Sequence, residues 1–471
     1  MQSYETREIA VRFNKGAPRI WLESLRLETA GFVPGTRYSL TVGDQRVVLT
    51  VKRDGARVVS QHKKGERRAI PVIDLNSAHS IGCFEGLDRV RVIILPGEIH
   101  LLLLATQKKA YERLERLERK LAAGEPLRVA SVCHGGGVLS HALADGLLQS
   151  GVPTRLVMAN DIDHDVLVQA STHNSKWDAD TKFVAAPLQE IVADDYLMDR
   201  IGHVEILEAG LPCVGASLAG RAKKHLAMAE ADPNAGHLIV AFIALIAKLQ
   251  PALILLENVV PYSLTASMHL LRYSLRDLGY SFHETVLDAP EFGCIEARKR
   301  LCVVGTTTGV QFDFASLEKA PDSTRCLGDV LEPIPADSDL WQAYSYLRDK
   351  EVADKAAGKG FRMQILGPEA PIVGVIGASY AKCRSTEVKL AHPDPNDPRM
   401  RQLTPIEHAR CKGVDPRLIE GMPATRAHHL LGNGVCPPPF IAVGKALGIA
   451  LRAHTPKPSK KEAPAFALAA A

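Results

Sequence analysis

The sequence predicts an α/β protein built on a doubly wound sheet, preceded by a smaller β-rich domain. From Leu127 onward, short apolar runs alternate with helical stretches, the βαβ rhythm of such a sheet. Before that point, apolar and polar residues alternate around turn pairs, the pattern of antiparallel hairpins. The 471 residues allow about three units at roughly 150 residues each. Hydrophobic residues at 46% and charged residues at 23% exclude a mostly disordered, collagen-like or coiled-coil chain.

Residues 1–104 carry two hairpin signals. RYSLTVGDQRVVLTVKR (Arg37 to Arg53) turns around Gly43-Asp44, and RVRVIILPGEIHLLLL (Arg89 to Leu104) repeats the plan around Pro96-Gly97. Two hairpins with basic outer faces predict a small barrel or sandwich; a β-rich appendage with a solvated basic face is the plainer alternative. GFVPGTRYSLTV (Gly31 to Val42) resembles the SymE/AbrB-like swapped-hairpin family. That resemblance implies nucleic-acid binding and a homodimer through this domain.

Residues 105–125 follow as a connecting helix. Tyr111, Leu114, Leu117 and Leu121 fall at helical spacing and Gly124 supplies a stop, with the Arg and Glu residues read as a solvated face. Residues 126–310 hold the expected strands: Leu127 to Cys133, Arg155 to Asp161, Val204 to Gly210, Ala252 to Val259 and Arg300 to Gly305. HLIVAFIALIAKL (His237 to Leu249) is too short to span a bilayer and reads as a buried helix, so no membrane partner is expected. Residues 311–400 lose the rhythm and turn rich in Pro, Gly and Asp, predicting a second small domain. Residues 401–453 return to the main body. The Pro/Ala/Lys-rich stretch 454–471 reads as a disordered tail.

Net charge is +4, which by itself announces no nucleic-acid binder. It is unevenly spread: residues 1–125 hold 22 basic and 15 acidic side chains, the rest 35 and 38. Nine scattered cysteines without a CxxC pair suit a reducing compartment, and the charged opening MQSYETREIAVRF lacks an apolar core. Cytoplasmic placement is therefore expected, and no metal.

Four constellations lie at predicted strand ends, where doubly wound sheets bind ligands. CHGGGVLSHAL (Cys133 to Leu143) places Gly135, Gly136 and Gly137 at a strand-to-helix turn, with Asp161 ending the next strand. The pair suggests an adenosine-containing cofactor, the glycines admitting close approach and the carboxylate meeting ribose; the alternative is a tight structural turn. GLPCVGASLAG (Gly210 to Gly220) presents Pro212-Cys213 among small residues, either a nucleophile or a buried thiol. LLENVV (Leu255 to Val260) ends an apolar strand on Glu257-Asn258, either a proton-handling carboxyl or a helix cap. EFGCIEARKRLCVVG (Glu291 to Gly305) aims Arg298 and Arg300 the same way, to grip a base carbonyl and a phosphate or to line a solvated edge.

Taken together and in order, these segments resemble the DNA (cytosine-5) methyltransferase family over about Leu127 to Leu451. Pro212-Cys213 is similar to its nucleophile motif, Glu257-Asn258-Val259 to its Glu-Asn-Val motif, and Glu296 to Arg300 to its Gln-x-Arg-x-Arg motif. RQLTPIEHARCKG (Arg401 to Gly413) resembles the Arg-x-Leu-Thr-x-x-Glu-x-Ala-Arg motif, and LLGNGVCPPP (Leu430 to Pro439) the Gly-Asn-x-Val-x-Pro motif. Five positions depart from the family pattern: Cys133 stands for an aromatic residue, Val214 for Gln, Glu296 for Gln, and Ala186-Pro187 for a Gly-Asp that meets adenine.

The resemblance implies a Rossmann-like domain dependent on S-adenosyl-L-methionine, with Gly135, Gly136, Gly137, Asp161, Pro212, Asn433, Gly434 and Val435 around the cofactor. Cys213, Glu257, Arg298 and Arg300 would be catalytic, acting on a cytosine flipped out of double-stranded DNA. Residues 311–400 take the place of the target recognition domain, although 11 basic and 14 acidic residues give it little bulk attraction for phosphate. A prokaryotic, phage- or plasmid-borne setting beside the nucleoid, with a cognate restriction endonuclease, completes the expectation. The rival readings are the same chemistry on tRNA, and a non-catalytic DNA-binding regulator that keeps the fold.

Overall fold

A computed structural model describes residues 5–14, 17–63, 68–213, 215–216, 226–321, 325–359 and 362–454. The chain divides into two compact units between Tyr111 and Glu112. That division falls inside the helix Ala105–Ala123, here α1, rather than at either of its ends.

The first unit is antiparallel throughout. One sheet runs Glu5–Ala10, Arg89–Leu95, Glu98–Leu102, Arg46–Val51, Arg37–Gly43, Arg57–Val58; a second runs Arg12–Asn14, Ala17–Glu23, Ile70–Leu75, Ser60–His62. Ile20, Leu22, Val47, Leu49 and Val92 from both sheets share one core. Both expected hairpins are present. The first turns on Asp44-Gln45, one residue later than expected, because Gly43 pairs with Arg46. The second turns on Pro96-Gly97. The two hairpins pair with each other, Arg46–Val51 against Glu98–Leu102.

The second unit holds a seven-stranded sheet. Its strands are β1 (Leu127–Val132), β2 (Thr154–Asp161), β3 (Lys182–Ala185), β4 (Ile206–Gly210), β5 (Leu253–Asn258), β6 (Tyr280–Asp288) and β7 (Lys299–Thr307). Their order is β3-β2-β1-β4-β5-β7-β6, with β7 antiparallel to both neighbours and the other pairings parallel. The doubly wound sheet expected from the sequence is mixed, with β7 as its antiparallel strand. β3 and β6 were not anticipated; they are the two edge strands, half exposed, and lack the continuous buried apolar run of the central strands.

Helices cover both faces. On one side α2 (Val138–Gln149) lies against the C-terminal helix Pro437–His454, with Leu143, Leu147, Val443 and Leu447 buried between them. The two backbones meet at Gly146 and Gly444, where a Cβ would come within 2.1 Å of Ile441 O and 2.5 Å of Leu143 O. On the other side the apolar helix Leu238–Leu249 is seated with Phe242, Leu245 and Ile246 inward, as its composition predicts. No single described helix is long and apolar enough to cross a membrane.

α1 departs from its expected solvated face. Arg113 is buried, donating to Gln250 Oε1 at 2.8 Å and to the Leu278 carbonyl at 2.8 Å, over the ring of Tyr280. Arg116 and Lys120 pair with the fully buried Glu205 at 3.0 and 2.7 Å. Long cationic side chains on this helix therefore close the lower end of the sheet, while Tyr111 is exposed.

Residues 311–400 contain the helix Ser345–Ala356 and the short strands Gln364–Leu366 and Val388–Ala391. Their core of Leu327, Trp341, Tyr380 and Val388 also takes in Ile295 and Leu403 from the flanking chain.

Candidate active site

The site forms at the carboxyl ends of β1, β2, β4 and β5. Beyond β1 the chain turns through Cys133, which adopts a left-handed φ of 52°, into the glycine loop and α2. Gly137 caps that helix at φ 75°; a Cβ there would lie 2.4 Å from Asn174 Nδ2 and 2.5 Å from His134 Nε2, so the position requires glycine. The Gly135 N–H donates to Asp161 Oδ2 at 2.8 Å, and the Asp163 N–H to Asp161 Oδ1 at 3.0 Å. Asp161 thus fixes the loop as well as facing the cavity. Beside it, Asn160 Nδ2 donates to the Val184 and Ala186 carbonyls, which seats Ala186-Pro187 on the adjoining wall.

Across the sheet, Asn258 at the end of β5 donates to the Leu211 carbonyl at 3.1 Å and so anchors the Leu211-Pro212-Cys213 turn after β4. Glu257, in register with Gly210, meets Arg300 Nε at 2.8 Å. Burial raises the Glu257 carboxyl above its ordinary range against the pull of Arg300. Burial and the Glu257 charge raise the Cys213 thiol, opposed by Arg300. Val214, Ser217, Gly220 and the tail beyond His454 lie outside the described residues.

Arg298 does not share the direction of Arg300. It is buried, donating to Glu296 Oε1 at 3.0 Å and to the Gly432 carbonyl at 2.7 Å. The expected paired grip is replaced by one arginine in the cavity and one in the core. The same contacts explain the departure at Glu296. Its second oxygen lies 3.3 Å from the equally buried Lys412 Nζ, so the carboxylate has two cations.

The far wall comes from the helix Ala424–Asn433 and the turn after it, where the Gly434 N–H donates to the Leu430 carbonyl at 3.0 Å. One cavity of about 720 Å³ is lined by Gly135, Gly136, Asp161, Pro212, Asn433, Gly434 and Val435, and also by Cys213, Glu257 and Arg300. Gly137 and Arg298 are the two predicted residues outside it. The volume suits a small-molecule cofactor. Backbone N–H groups at the glycine loop, a carboxylate at Asp161 and apolar walls at Pro187 and Val435 fit an adenosine ligand with a polar tail.

Sequence reasoning missed two groups here. Asn258 was read only with Glu257, and its role in anchoring Leu211 requires the fold. Glu208 lines the cavity although only 2% exposed. A carboxylate inside the apolar run VEILEAG was the available signal.

The model of the family described as C-5 cytosine-specific DNA methylase matches residues 127–448. The Type II methyltransferase M.NlaX of Neisseria lactamica is 30% identical over 275 residues, covering 56% of this chain and 83% of its own length. A DNA-cytosine methyltransferase of Escherichia coli K12 is 25% identical over 320 residues, covering 59% of this chain and 67% of its own. Among solved structures, the Dnmt2 methyltransferase of S. pombe superposes with a TM-score of 0.53 at 18% identity, covering 69% of this chain and 99% of that one. The fold is thus the Rossmann-like methyltransferase fold expected from the sequence. The swapped-hairpin resemblance of Gly31 to Val42 gains no support from these matches.

Proposed function

The chain belongs to the C-5 cytosine-specific DNA methylase family, and from that membership we propose that it methylates C5 of a flipped-out cytosine in duplex DNA through a covalent bond from Cys213. The observation that carries this reading is the single cavity that holds Cys213, Glu257 and Arg300 together with the glycine loop. S-adenosyl-L-methionine, held by Gly135, Gly136, Asp161, Pro212, Asn433, Gly434 and Val435, supplies an electrophilic methyl carbon when bound.

Cytosine C5 is a poor nucleophile. Cys213 gives its thiol proton to water and adds to C6 as the thiolate, breaking the C5–C6 π bond and leaving an enamine electron pair at C5. Glu257, protonated more readily than an ordinary carboxyl, donates a hydrogen bond or its proton to N3 and draws charge from the ring. Arg300 donates to the O2 carbonyl and keeps Glu257 oriented through their contact. Arg298 acts from the core, through Glu296 and the Gly432 carbonyl. After C5 is alkylated, water or hydroxide takes its proton, the C5–H electron pair re-forms the C5–C6 double bond, the Cys213 thiolate leaves C6, and N3 returns any proton to Glu257.

The name of the E. coli relative specifies DNA, and the Type II name of M.NlaX supports a cognate restriction endonuclease and a cytoplasmic setting. Residues 311–400 are assigned to reading the duplex around the flipped base. The basic first unit is assigned to sequence-independent phosphate attraction. Purified protein given methyl-labelled cofactor should label duplex DNA. Labelling of tRNA alone would replace DNA by RNA as substrate, and no labelling of either would make the chain a non-catalytic binder.

A further inference from the structure

Five glutamates are buried among the described residues of the second unit, and four of them have a cation. Glu205 has Arg116 and Lys120, Glu257 has Arg300, Glu296 has Arg298 and Lys412, and Glu407 has Arg401 at 2.6 Å. Glu208 has none among the described residues. A carboxylate so placed is costly to ionise unless a positive group meets it. Burial accordingly raises its pKa to about 8, leaving it largely protonated at neutral pH.

Its surroundings are nevertheless prepared for an anion. Trp177 Nε1, which can only donate, gives its hydrogen to His134 Nε2 at 3.2 Å. Burial holds His134 neutral, with a pKa near 3, so its remaining hydrogen sits on Nδ1, 2.5 Å from Ser131 Oγ. Ser131 is the register partner of Glu208 on β1, and its hydroxyl favours the ionised carboxylate. Donors therefore run in one direction, from Trp177 toward Glu208. The titratable groups facing Glu208 are Cys133 and His134 at the end of β1 and Glu257 on β5, and none is a cation at neutral pH.

We propose that Glu208 is the anionic partner of a cationic centre of S-adenosylmethionine, its sulfonium or its α-ammonium, within this cavity. The assignment rests on the methyltransferase reading above and adds a residue to it. The bound cation ionises Glu208 and is the counter-charge that the protein itself lacks.

Calorimetric titration of the whole protein with S-adenosylmethionine and with S-adenosylhomocysteine tests this, since the second ligand keeps the ammonium but lacks the sulfonium. Glu208→Gln should weaken S-adenosylmethionine binding about 10- to 100-fold. An unchanged S-adenosylhomocysteine affinity assigns the contact to the sulfonium, and an equal loss assigns it to the ammonium. Unaltered S-adenosylmethionine affinity in a cooperatively melting Glu208→Gln protein overturns the proposal while leaving the methyltransferase reading intact. Wild-type protein that binds neither ligand overturns both. Infrared difference spectra of the wild-type protein need no variant: S-adenosylmethionine should convert a protonated carboxyl band to a carboxylate band, and its persistence contradicts the assignment.

Discussion

Glu257 Oε1 and Arg300 Nε meet at 2.8 Å on the wall of the cavity that also exposes Cys213. Glu257 comes from the end of β5 and Arg300 from the start of the antiparallel β7, so reversing one strand brings the two side chains together. The pair makes the proton on Glu257 responsive to whatever occupies Arg300. Glu257→Gln keeps the shape and a hydrogen bond but removes the transferable proton. Single-turnover methyl transfer should fall about 10²- to 10⁴-fold, with cofactor affinity within a few-fold of wild type.

Arg298 should behave differently from Arg300. Removing it takes the buried donor from Glu296 Oε1 and from the Gly432 carbonyl while Lys412 still faces Glu296, so Arg298→Ala should cost about 1–3 kcal/mol for each acceptor left unmet, read by denaturant unfolding. Glu296 and Lys412 should also be coupled. Glu296→Gln leaves the buried Lys412 ammonium without its carboxylate, whereas Lys412→Gln leaves Glu296 with Arg298 alone. The double variant should be less destabilised than the sum of the two singles, by about 0.5–3 kcal/mol. Strict additivity would mean that the 3.3 Å contact carries no energy.

α1 should be inseparable from the second unit. Deleting residues 1–104 keeps Arg113, Arg116 and Lys120, whereas deleting 1–125 strips Glu205 of both cations and Gln250 of its donor. The longer deletion should melt at a clearly lower temperature, the cost being about 3–5 kcal/mol for an unpaired buried charge. The shorter deletion should retain the unit's cooperative melting and weaken DNA affinity while leaving the methylated sequence unchanged. Methylation-site sequencing and melting curves check both.

Glu208 makes a pH prediction with a definite sign. Its folded-state pKa near 8 lies above the ordinary value of 4.5, so the folded protein holds this proton more tightly than the unfolded chain. The associated stability is complete below about pH 4.5 and is lost as pH rises through about 8. In the absence of cofactor, the melting temperature of Glu208→Gln relative to wild type should therefore climb from about pH 4.5 to about 8 and level off above that. A flat difference would show that Glu208 does not titrate in this range.

The parts of this protein legible in the sequence are those where a local pattern fixes the outcome. Continuous apolar runs gave β1, β2, β4, β5 and β7, and turn pairs marked the two hairpins. Motif residues at strand ends led to Cys213, Glu257 and the glycine loop. Direction was less legible. Arg298 and Arg300 differ by two positions, but β7 begins at Lys299, so Arg300 keeps the strand's alternation while Arg298, just outside it, lies in the core. Partnership was hidden as well: the cations of α1 look solvated until Glu205 and Gln250 meet them, and Glu296 looks misplaced until Lys412 does. Both pairings span long stretches of chain that no local window contains.

The covalent step is the centre of the account. Duplex DNA in which the target cytosine carries fluorine at C5 cannot lose that substituent as a proton, so the Cys213–C6 bond should persist once the ring is alkylated. Incubation with S-adenosylmethionine, followed by denaturation and peptide mass spectrometry, should find the nucleotide attached to Cys213, and Cys213→Ala should give no adduct. A methylating preparation that forms no adduct, or one attached at another residue, would contradict the mechanism.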